Sequence, residues 1–342
     1  MASYKALQQR INRGDVLILD GAVGTQLQEM GVPMDNTAWA AMALKTHPFT
    51  VRHMHEQYIR AGADVITTNS YSAARHNLEP LGLGDLAVEL NLRAAILARE
   101  ARDVSAGGRD VLIGGAISNF GMILGGEGGR SLHRLAKPRS LFTEEQLKAN
   151  LREQAETLAE GGVDFFLVEG TGSNTHRKWI IEACKATGLP LWVGFKCRRD
   201  KDEKVVRTGY RSQDAFGDVI PEVMSHGGSV LSIFHSSVSD TSAALKIALK
   251  KWPGPIGLYP DAERSDYVTP AHDHSIRNKI APDAFVKHAR RWVEAGAQII
   301  GGCCGYGLPY IRLLRDGLPR KIEKPRRLAA NRQGNGRAAV AA

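Results

Sequence analysis

The chain has 342 residues, of which 43% are hydrophobic and 24% charged, which is enough for one large domain or two ordinary ones. No run approaches the ~18 consecutive apolar residues that cross a membrane, and the N-terminus lacks the segments of a signal peptide, so we expect a cytoplasmic protein without membrane contact. The four cysteines, two of them adjacent, are too few for a disulfide framework and are better candidates for metal ligands, nucleophiles or core residues.

The net charge of +9 is concentrated at the C-terminus. Residues 318–342 contain seven basic residues and one acidic residue, and the rest of the chain carries the remaining +3. Because this segment is too polar to bury a core, we predict a short basic disordered tail there, after a single domain over residues 1–317. A tail of this kind does not by itself indicate a nucleic-acid partner, and none is expected.

Eight short runs rich in Val, Ile and Leu recur along the domain and alternate with segments of helical periodicity. The runs occupy residues 16–20, 65–69, 111–116, 165–169, 191–195, 230–235, 255–259 and 299–303. The clearest amphipathic helices are predicted over residues 50–63, 86–103, 143–162 and 282–297. Eight strand–helix units without a long linker favour a closed (β/α)8 TIM barrel, an α/β fold, over an open doubly wound sheet.

Catalytic groups of such barrels lie at the carboxyl ends of the strands. In this sequence most of those ends carry polar or metal-binding residues: Asp20, Thr68, Asn69, Ser118, Asn119, Glu169, Cys197, His235, Tyr259, Cys303 and Cys304. We therefore expect polar and metal-binding chemistry on one rim of the barrel.

The adjacent Cys303 and Cys304 follow the last predicted strand and are flanked by glycines, in the segment IIGGCCGYG. Two thiolates and one further soft or imidazole ligand would give zinc three protein ligands and an open fourth position, which is typical of a catalytic site. Two small residues buried in a tight strand are the alternative interpretation.

Three segments in this order resemble the homocysteine S-methyltransferases: ILDGAVGTQLQEMG (18–31), NTAWAAMALKTHPFTVRHMHEQYIRAGADVITTNSY (36–71) and AGAQIIGGCCG (295–305). The resemblance covers about residues 15–316. It implies a zinc-dependent barrel enzyme that binds the thiolate of homocysteine to zinc and transfers a methyl group to it, giving methionine. We expect a small sulfonium or ammonium donor, because the chain has no room for cobalamin- and folate-binding modules.

By this resemblance, Cys303 and Cys304 match the paired zinc cysteines of the family. The third family ligand is a cysteine that ends the sixth strand, and His235 occupies that position here. Imidazole can replace thiolate at zinc, but one negative charge is then lost and the site becomes more electrophilic. Cys197, which ends the fifth predicted strand before the charged loop RRDKDEK, is the alternative third ligand, and a site without zinc stays open.

The resemblance also implies residues that hold the amino acid. Asp20 matches the family acid that takes the ammonium group, and Gly21 and Ala22 present backbone close to the ligand. Asp20 could instead cap the following helix. Glu169 matches a second partner of the ammonium group, and it is followed by the segment 170–173 (GTGS), where we expect a looser loop than the family pattern gives.

Other residues match the family pocket less specifically. Thr68 and Asn69 end the second strand at pocket positions, although turn residues of these types are also common. Aromatic faces hold the diffuse charge of sulfonium and ammonium groups, and Trp39, Tyr306 and Tyr71 are candidates for this role or for ordinary rim packing.

Two loops complete the predictions. The glycine-rich segment 125–130 is expected to be a mobile loop over the site, and the HDH segment 272–274 a solvated turn. The alternative functions are a divergent family member with another thiol acceptor and a ligand-binding protein without catalysis. The partners are expected to be small molecules, and homo-oligomerisation stays open.

Overall fold

The computed structural model describes residues 3–35, 37–122, 142–200, 202, 204–210, 212–262 and 279–326. The predicted loop 125–130, the turn 272–274 and the last residues of the tail lie outside this described part.

Ten strands alternate with the helices of the described chain. The strands are β1 (Leu17–Ile18), β2 (Val65–Thr67), β3 (Leu112–Ser118), β4 (Phe165–Gly170), β5 (Leu191–Phe195), β6 (Cys197–Arg199), β7 (Val206–Thr208), β8 (Val230–Phe234), β9 (Ile256–Tyr259) and β10 (Ile299–Ile300). The α-helices are α1 (Tyr4–Asn12), α2 (Gly24–Glu29), α3 (Ala43–Thr46), α4 (Pro48–Ala61), α5 (Arg75–Leu78), α6 (Ala87–Ser105), α7 (Glu144–Glu160), α8 (Asn174–Lys185), α9 (Phe216–His226), α10 (Val238–Lys251), α11 (Pro282–Ala295) and α12 (Leu308–Gly317). Short 3₁₀ turns cover Ala40–Met42, Glu79–Leu81 and Gly84–Leu86.

Eight of these strands form one parallel sheet in the order β1-β10-β9-β8-β5-β4-β3-β2. A parallel bridge between Leu19 and Val65 joins the two outer strands and closes the barrel. Every apolar run identified in the sequence overlaps one barrel strand, so the predicted (β/α)8 fold is confirmed. The four predicted amphipathic helices are also confirmed, as α4, α6, α7 and α11.

Large side chains fill the barrel interior. Phe165, Trp192 and Phe234 are buried there, and the rings of Phe165 and Trp192 lie 4.3 Å apart, centroid to centroid. The interior is therefore a packed core and not a channel, as is usual for an eight-stranded barrel.

Helix α1 closes the amino-terminal end of the barrel. Its Leu7 and Ile11 are buried in the same interior cluster as Trp192. At the start of the helix, the Tyr4 hydroxyl accepts a hydrogen bond from Trp192 Nε1 at 3.0 Å and contacts Ser229 Oγ at 2.8 Å. The carboxyl-terminal end is therefore left for ligand access.

The beginning of the predicted tail packs on the barrel. Leu318 is buried, and the Arg326 guanidinium donates to the carbonyl of Leu249 in the last turn of α10. The last carbonyls of a helix lack partners within it, and Arg326 supplies one. A disordered tail from residue 318 onward is therefore wrong for residues 318–326.

The charged segment after Cys197 was expected to be a solvated loop, and this is wrong for its first two residues, Arg198 and Arg199. Strands β6 and β7 pair there as an antiparallel hairpin. Two of its charged residues have protein partners, because Arg199 Nε lies 2.9 Å from Asp240 Oδ1 and Arg198 Nε donates to the Tyr210 carbonyl at 3.0 Å. The hairpin thereby fixes the position of Tyr210.

In the described ranges, no helix combines the length and apolarity of a membrane span.

The closing role of α1 predicts a large loss of stability on truncation of its buried face. Ile11 is 0% exposed, so Ile11→Ala should lower the free energy of unfolding by about 2–5 kcal/mol in a urea titration. The matched control is Leu313→Ala on the surface of α12, where Leu313 is 37% exposed and a change below about 1 kcal/mol is expected. Equal losses in the two variants would contradict the role of α1.

Candidate metal and substrate site

Three metal-binding side chains meet at the carboxyl-terminal rim. His235 directly follows β8, and Cys303 and Cys304 follow β10 after two glycines. His235 Nδ1 lies 3.4 Å from Cys303 Sγ and 3.6 Å from Cys304 Sγ, and the two sulfurs are 4.0 Å apart. The closed sheet brings these ligands together because β8 and β10 flank β9.

These separations match the edges of a tetrahedral zinc site. Bonds of ~2.3 Å to sulfur and ~2.0–2.1 Å to nitrogen give edges of about 3.8 Å between two sulfurs and about 3.6 Å between sulfur and nitrogen. The three side chains are half-buried, and their ligand atoms all lie within 4.8 Å of one another. The donor set therefore fits a zinc ion with one position left for another ligand.

The alternative third ligand, Cys197, lies elsewhere. Its thiol is buried in the hydrophobic core and its closest polar contact is the Phe195 carbonyl, at 3.9 Å. Burial raises the pKa of Cys197, which disfavours the thiolate that binds metals. The structure thus brings His235, and not Cys197, to the cysteine pair.

The two thiols of the cysteine pair influence each other, because their sulfurs lie 4.0 Å apart. A hydrogen bond from Cys303 lowers the pKa of Cys304 well below its usual range, and His235 adds to this effect. The same hydrogen bond, together with burial, raises the pKa of Cys303. Burial alone would lower the pKa of His235, but the negative charges of Asp261 and Cys304 outweigh burial and raise it.

The surroundings of His235 include residues that the sequence analysis did not identify. Asp261 Oδ2 lies 3.2 Å from Nδ1, and the Tyr210 hydroxyl contacts Nε2. Lys196 Nζ donates to the His235 carbonyl at 2.6 Å. Asp261 follows β9 by two residues, so its place near a strand end was a usable signal, whereas the position of Tyr210 depends on the unpredicted hairpin.

Two buried carboxyl groups lie on the same rim. Asp20 accepts hydrogen bonds from the Thr67 amide at 2.7 Å and from its hydroxyl at 2.8 Å. Helix α2 has no side-chain cap, so the capping role that Asp20 could have had is not seen. Burial raises the pKa of Asp20 to about 8 and that of Glu169 to about 7. The buried hydroxyl of Tyr259, one of the strand-end residues identified in the sequence, lies beside Glu169.

The charged forms of these two carboxyl groups are disfavoured in the structure. Burial penalises their charged forms, and the charge of Glu169 also raises the pKa of Asp20. An ammonium group placed beside them would favour both carboxylates. The rim therefore carries both a cluster of metal-binding side chains and a pair of buried carboxyl groups.

A family model described as homocysteine S-methyltransferase matches residues 17–318. The chain belongs to this family. It is 27% identical over 316 residues to the homocysteine S-methyltransferase of Escherichia coli (strain K12), with 89% of this chain and 96% of that protein covered. The identity is also 27%, over 318 residues, to a selenocysteine methyltransferase of Astragalus bisulcatus, with 85% and 89% covered.

A solved structure shows the same fold. The metallated form of the homocysteine methyltransferase MmuM from Escherichia coli superposes with a TM-score of 0.69 at 24% identity, covering 91% of this chain and 99% of that one. Family membership confirms the expected resemblance and, with it, a methyltransferase enzyme that acts on homocysteine.

The loop after Glu169 departs from the sequence pattern of the homocysteine S-methyltransferases, but it is not loose as expected. The fully buried Arg177 donates to the carbonyls of Gly170 at 2.7 Å and Gly194 at 3.1 Å. A Cβ atom on Gly170 would lie 2.9 Å from Arg177 Nε, so glycine is required beside this side chain. The Thr171 amide donates to Asn119 Oδ1 at 2.9 Å, which holds the loop further.

Thr68 and Asn69 have structural partners. Thr68 Oγ1 accepts a hydrogen bond from the Ala116 amide at 3.0 Å and contacts Ser70 Oγ at 2.7 Å. Asn69 Nδ2 donates to the Ala40 carbonyl at 2.8 Å. These contacts connect β2 to β3 and to the turn after Trp39.

Gly21 and Ala22 pack against the segment after the cysteine pair. A Cβ atom on Gly21 would lie 2.4 Å from the Tyr306 carbonyl oxygen, so only glycine fits there. The Ala22 amide donates to the same oxygen at 3.2 Å, and the Ala22 carbonyl accepts from the Tyr58 hydroxyl at 2.7 Å. Both backbone groups of Ala22 therefore have protein partners.

The aromatic candidates divide into two groups. Tyr306 is 1% exposed and its ring centroid lies 4.5 Å from that of Phe285 and 4.8 Å from that of Tyr310, which favours the packing alternative over a donor pocket. Its ring belongs to the helix layer because α11 and α12 enclose it. Trp39 and Tyr71 are half-buried on the rim, and burial and the nearby Glu169 raise the pKa of Tyr71.

Proposed function

We propose that this chain is a zinc-dependent enzyme that moves a methyl group from a small sulfonium or quaternary ammonium donor to the thiol of homocysteine, giving methionine. The observation that carries the proposal is the triangle of His235, Cys303 and Cys304, whose sides match a tetrahedral zinc site. The metallated form of the related Escherichia coli enzyme supports a metal in this fold.

In this proposal the three ligands activate the acceptor. A free thiol with a pKa of ~8.5 is only a few per cent ionised at pH 7, whereas a thiol coordinated to zinc is deprotonated. His235, Cys303 and Cys304 would hold the ion at the rim and leave its fourth position for the homocysteine sulfur.

The buried carboxyl groups would hold the amino-acid end of homocysteine. Asp20, oriented by Thr67, and Glu169 would receive the ammonium group, and the Tyr259 hydroxyl beside Glu169 would add a further polar contact. Binding of a cation by these groups stabilises their charged forms, which burial otherwise disfavours.

The chemical step is a displacement at the methyl carbon. The acceptor sulfur forms its bond to this carbon while the bond from the carbon to the donor atom breaks, and no proton leaves the carbon. The principal task of the chain is therefore to align two substrates at about 3–3.5 Å between reacting atoms.

The half-buried rings of Trp39 and Tyr71 support a cationic donor, because aromatic faces attract diffuse positive charge. Related proteins are named for two donors of this kind: betaine in Danio rerio, at 26% identity, and S-methylmethionine in Pongo abelii, at 25%. The similarity to the selenocysteine methyltransferase supports a second candidate acceptor, a selenol, at the same metal position.

Assays of the zinc-loaded protein test this function. We expect methionine from homocysteine with at least one of betaine, S-methylmethionine and dimethylsulfoniopropionate. Selenocysteine as a competing acceptor measures the preference between thiol and selenol. Absence of methyl transfer to either acceptor with every donor would contradict the proposal.

Metal analysis of purified variants tests the ligand assignment. We expect about one zinc per chain in the unmodified protein and far less in Cys303→Ser, Cys304→Ser and His235→Ala, because each change removes one of three ligands. Cys197→Ser is the matched control and should keep its zinc. Loss of zinc from Cys197→Ser, with full zinc in His235→Ala, would refute the assignment.

The raised pKa values of the carboxyl groups predict a pH dependence of ligand binding. Methionine has no thiol, so its binding reports the ammonium site alone. Below a pKa of about 7, Glu169 is neutral and attracts an ammonium group less, so the affinity for methionine should rise about tenfold between pH 6 and pH 8.

Isothermal calorimetry with methionine measures this effect. Glu169→Gln should bind more weakly and lose part of the rise with pH, whereas the control Glu100→Gln, exposed on α6, should behave as the unmodified protein. An affinity that is constant from pH 6 to pH 8 would rule out the proposed role of these carboxyl groups.

A further inference from the structure

A histidine ligand has requirements that a cysteine ligand does not have. An imidazole has two nitrogens, and a neighbouring group has to hold the proton on one of them so that the other binds the metal. A neutral imidazole also brings no negative charge, whereas the cysteine of the family pattern at position 235 would bring one.

We propose that Tyr210 and Asp261 are positioning residues that adapt this site to a histidine ligand. Tyr210 accepts the Nε2 proton of His235 and so directs Nδ1 to the two sulfurs, and Asp261 supplies the negative charge of the missing thiolate. This inference rests on the proposed function, because it concerns the ligands of the zinc ion.

The first step of the argument is the division of the two ring nitrogens. Nδ1 of His235 faces the two sulfurs of the cysteine pair and the Asp261 carboxylate, whereas Nε2 contacts the Tyr210 hydroxyl. When the lone pair of Nδ1 binds a metal, Nε2 carries the proton, and the hydroxyl oxygen of Tyr210 is its acceptor.

The second step is that Tyr210 is itself fixed. Its amide donates to the Thr171 carbonyl at 3.2 Å, and its carbonyl accepts from the Arg198 guanidinium at 3.0 Å. The ammonium group of Lys196 lies 4.4 Å from the centre of its ring. The hydroxyl is therefore presented by a residue held from β4, from the hairpin and from the end of β5.

The backbone of His235 is held by the same lysine. His235 has a φ of 47°, in the left-handed region that a non-glycine residue rarely adopts, and Lys196 donates to its carbonyl at 2.6 Å. Lys196 is only 6% exposed, so it contacts both the His235 carbonyl and the Tyr210 ring from within the protein. A rare backbone conformation kept by a buried partner is typical of a functional position.

The third step concerns charge. Two thiolates and a neutral imidazole together carry two negative charges, which neutralise a divalent cation without any excess. Asp261 Oδ2 lies 3.2 Å from His235 Nδ1, which places a carboxylate beside a cation bound at that nitrogen. The Asp261 amide donates to the Ser236 carbonyl at 2.9 Å, so Asp261 is attached to the residue after His235.

Zinc dissociation constants, measured by competition with a chromophoric chelator, test the role of Tyr210. Tyr210→Phe should weaken zinc binding at least about tenfold, as the loss of a partner of a ligating histidine usually does. In a His235→Cys background no ring needs orientation, so Tyr210→Phe should change zinc binding less than about twofold. Tyr310→Phe is the matched control, because its hydroxyl donates to the Ile280 carbonyl in the helix layer.

The same measurement tests the role of Asp261. Asp261→Asn should weaken zinc binding about tenfold with His235 present, and should have little effect in His235→Cys, where a third thiolate supplies the charge. Asp316→Asn, an exposed change on α12, is its control. Circular dichroism shows whether each variant keeps its fold.

A spectroscopic measurement covers the case in which His235→Cys does not fold. In zinc-loaded protein labelled with ¹⁵N-histidine, the His235 signal, identified by its loss in His235→Gln, should show a proton on Nε2 and metal on Nδ1. The reverse assignment would overturn the inference. If the unmodified protein binds zinc and Tyr210→Phe and Asp261→Asn bind it equally well, the inference is overturned but the proposed function stands. If the unmodified protein does not bind zinc, both are overturned.

Discussion

The structure depends on one local constraint, which is that two thiol sulfurs and an imidazole nitrogen are held within 4.0 Å of one another on the barrel rim. Such a cluster is stable only if the groups share protons or a cation, because three polar groups with lone pairs face one point. In this structure, the contact between the two sulfurs and their contacts with His235 Nδ1 meet part of this need. A zinc ion would meet it more completely.

The closed barrel gives this cluster its surroundings. Helix α1 closes the amino-terminal end, so the polar residues are concentrated at the opposite rim. There the metal ligands come from the ends of β8 and β10, and the carboxyl groups of Asp20 and Glu169 come from β1 and β4. Because these strands belong to one closed sheet, residues far apart in sequence lie together on one rim.

The sequence was sufficient for the parts that depend on local patterns. The eight strands follow from repeated apolar runs, and the place of the cysteine pair follows from the rule that strand ends carry the chemistry. The match of His235 to the third ligand came from the resemblance to the family. The residues that the sequence analysis missed depend on long-range contacts. Tyr210 reaches His235 only through the hairpin, and Arg177 fixes the loop after Glu169 by bonds to two different strands.

The corrections have the same physical origin. The direction of the Tyr306 ring depends on the packing of α11 and α12, which periodicity does not specify. Composition indicates that residues 318–326 are polar, but it does not show that Arg326 has carbonyl partners at the end of α10. From charge and polarity alone, the start of the tail and the segment after Cys197 were therefore expected to be more exposed to solvent than they are.

X-ray absorption at the zinc edge tests the central claim most directly, because it counts the sulfur and nitrogen ligands of the ion. The account predicts two sulfur ligands and one histidine nitrogen from the protein, with a third sulfur when homocysteine is added. Three sulfur ligands before homocysteine is added, or no new sulfur afterwards, would contradict it.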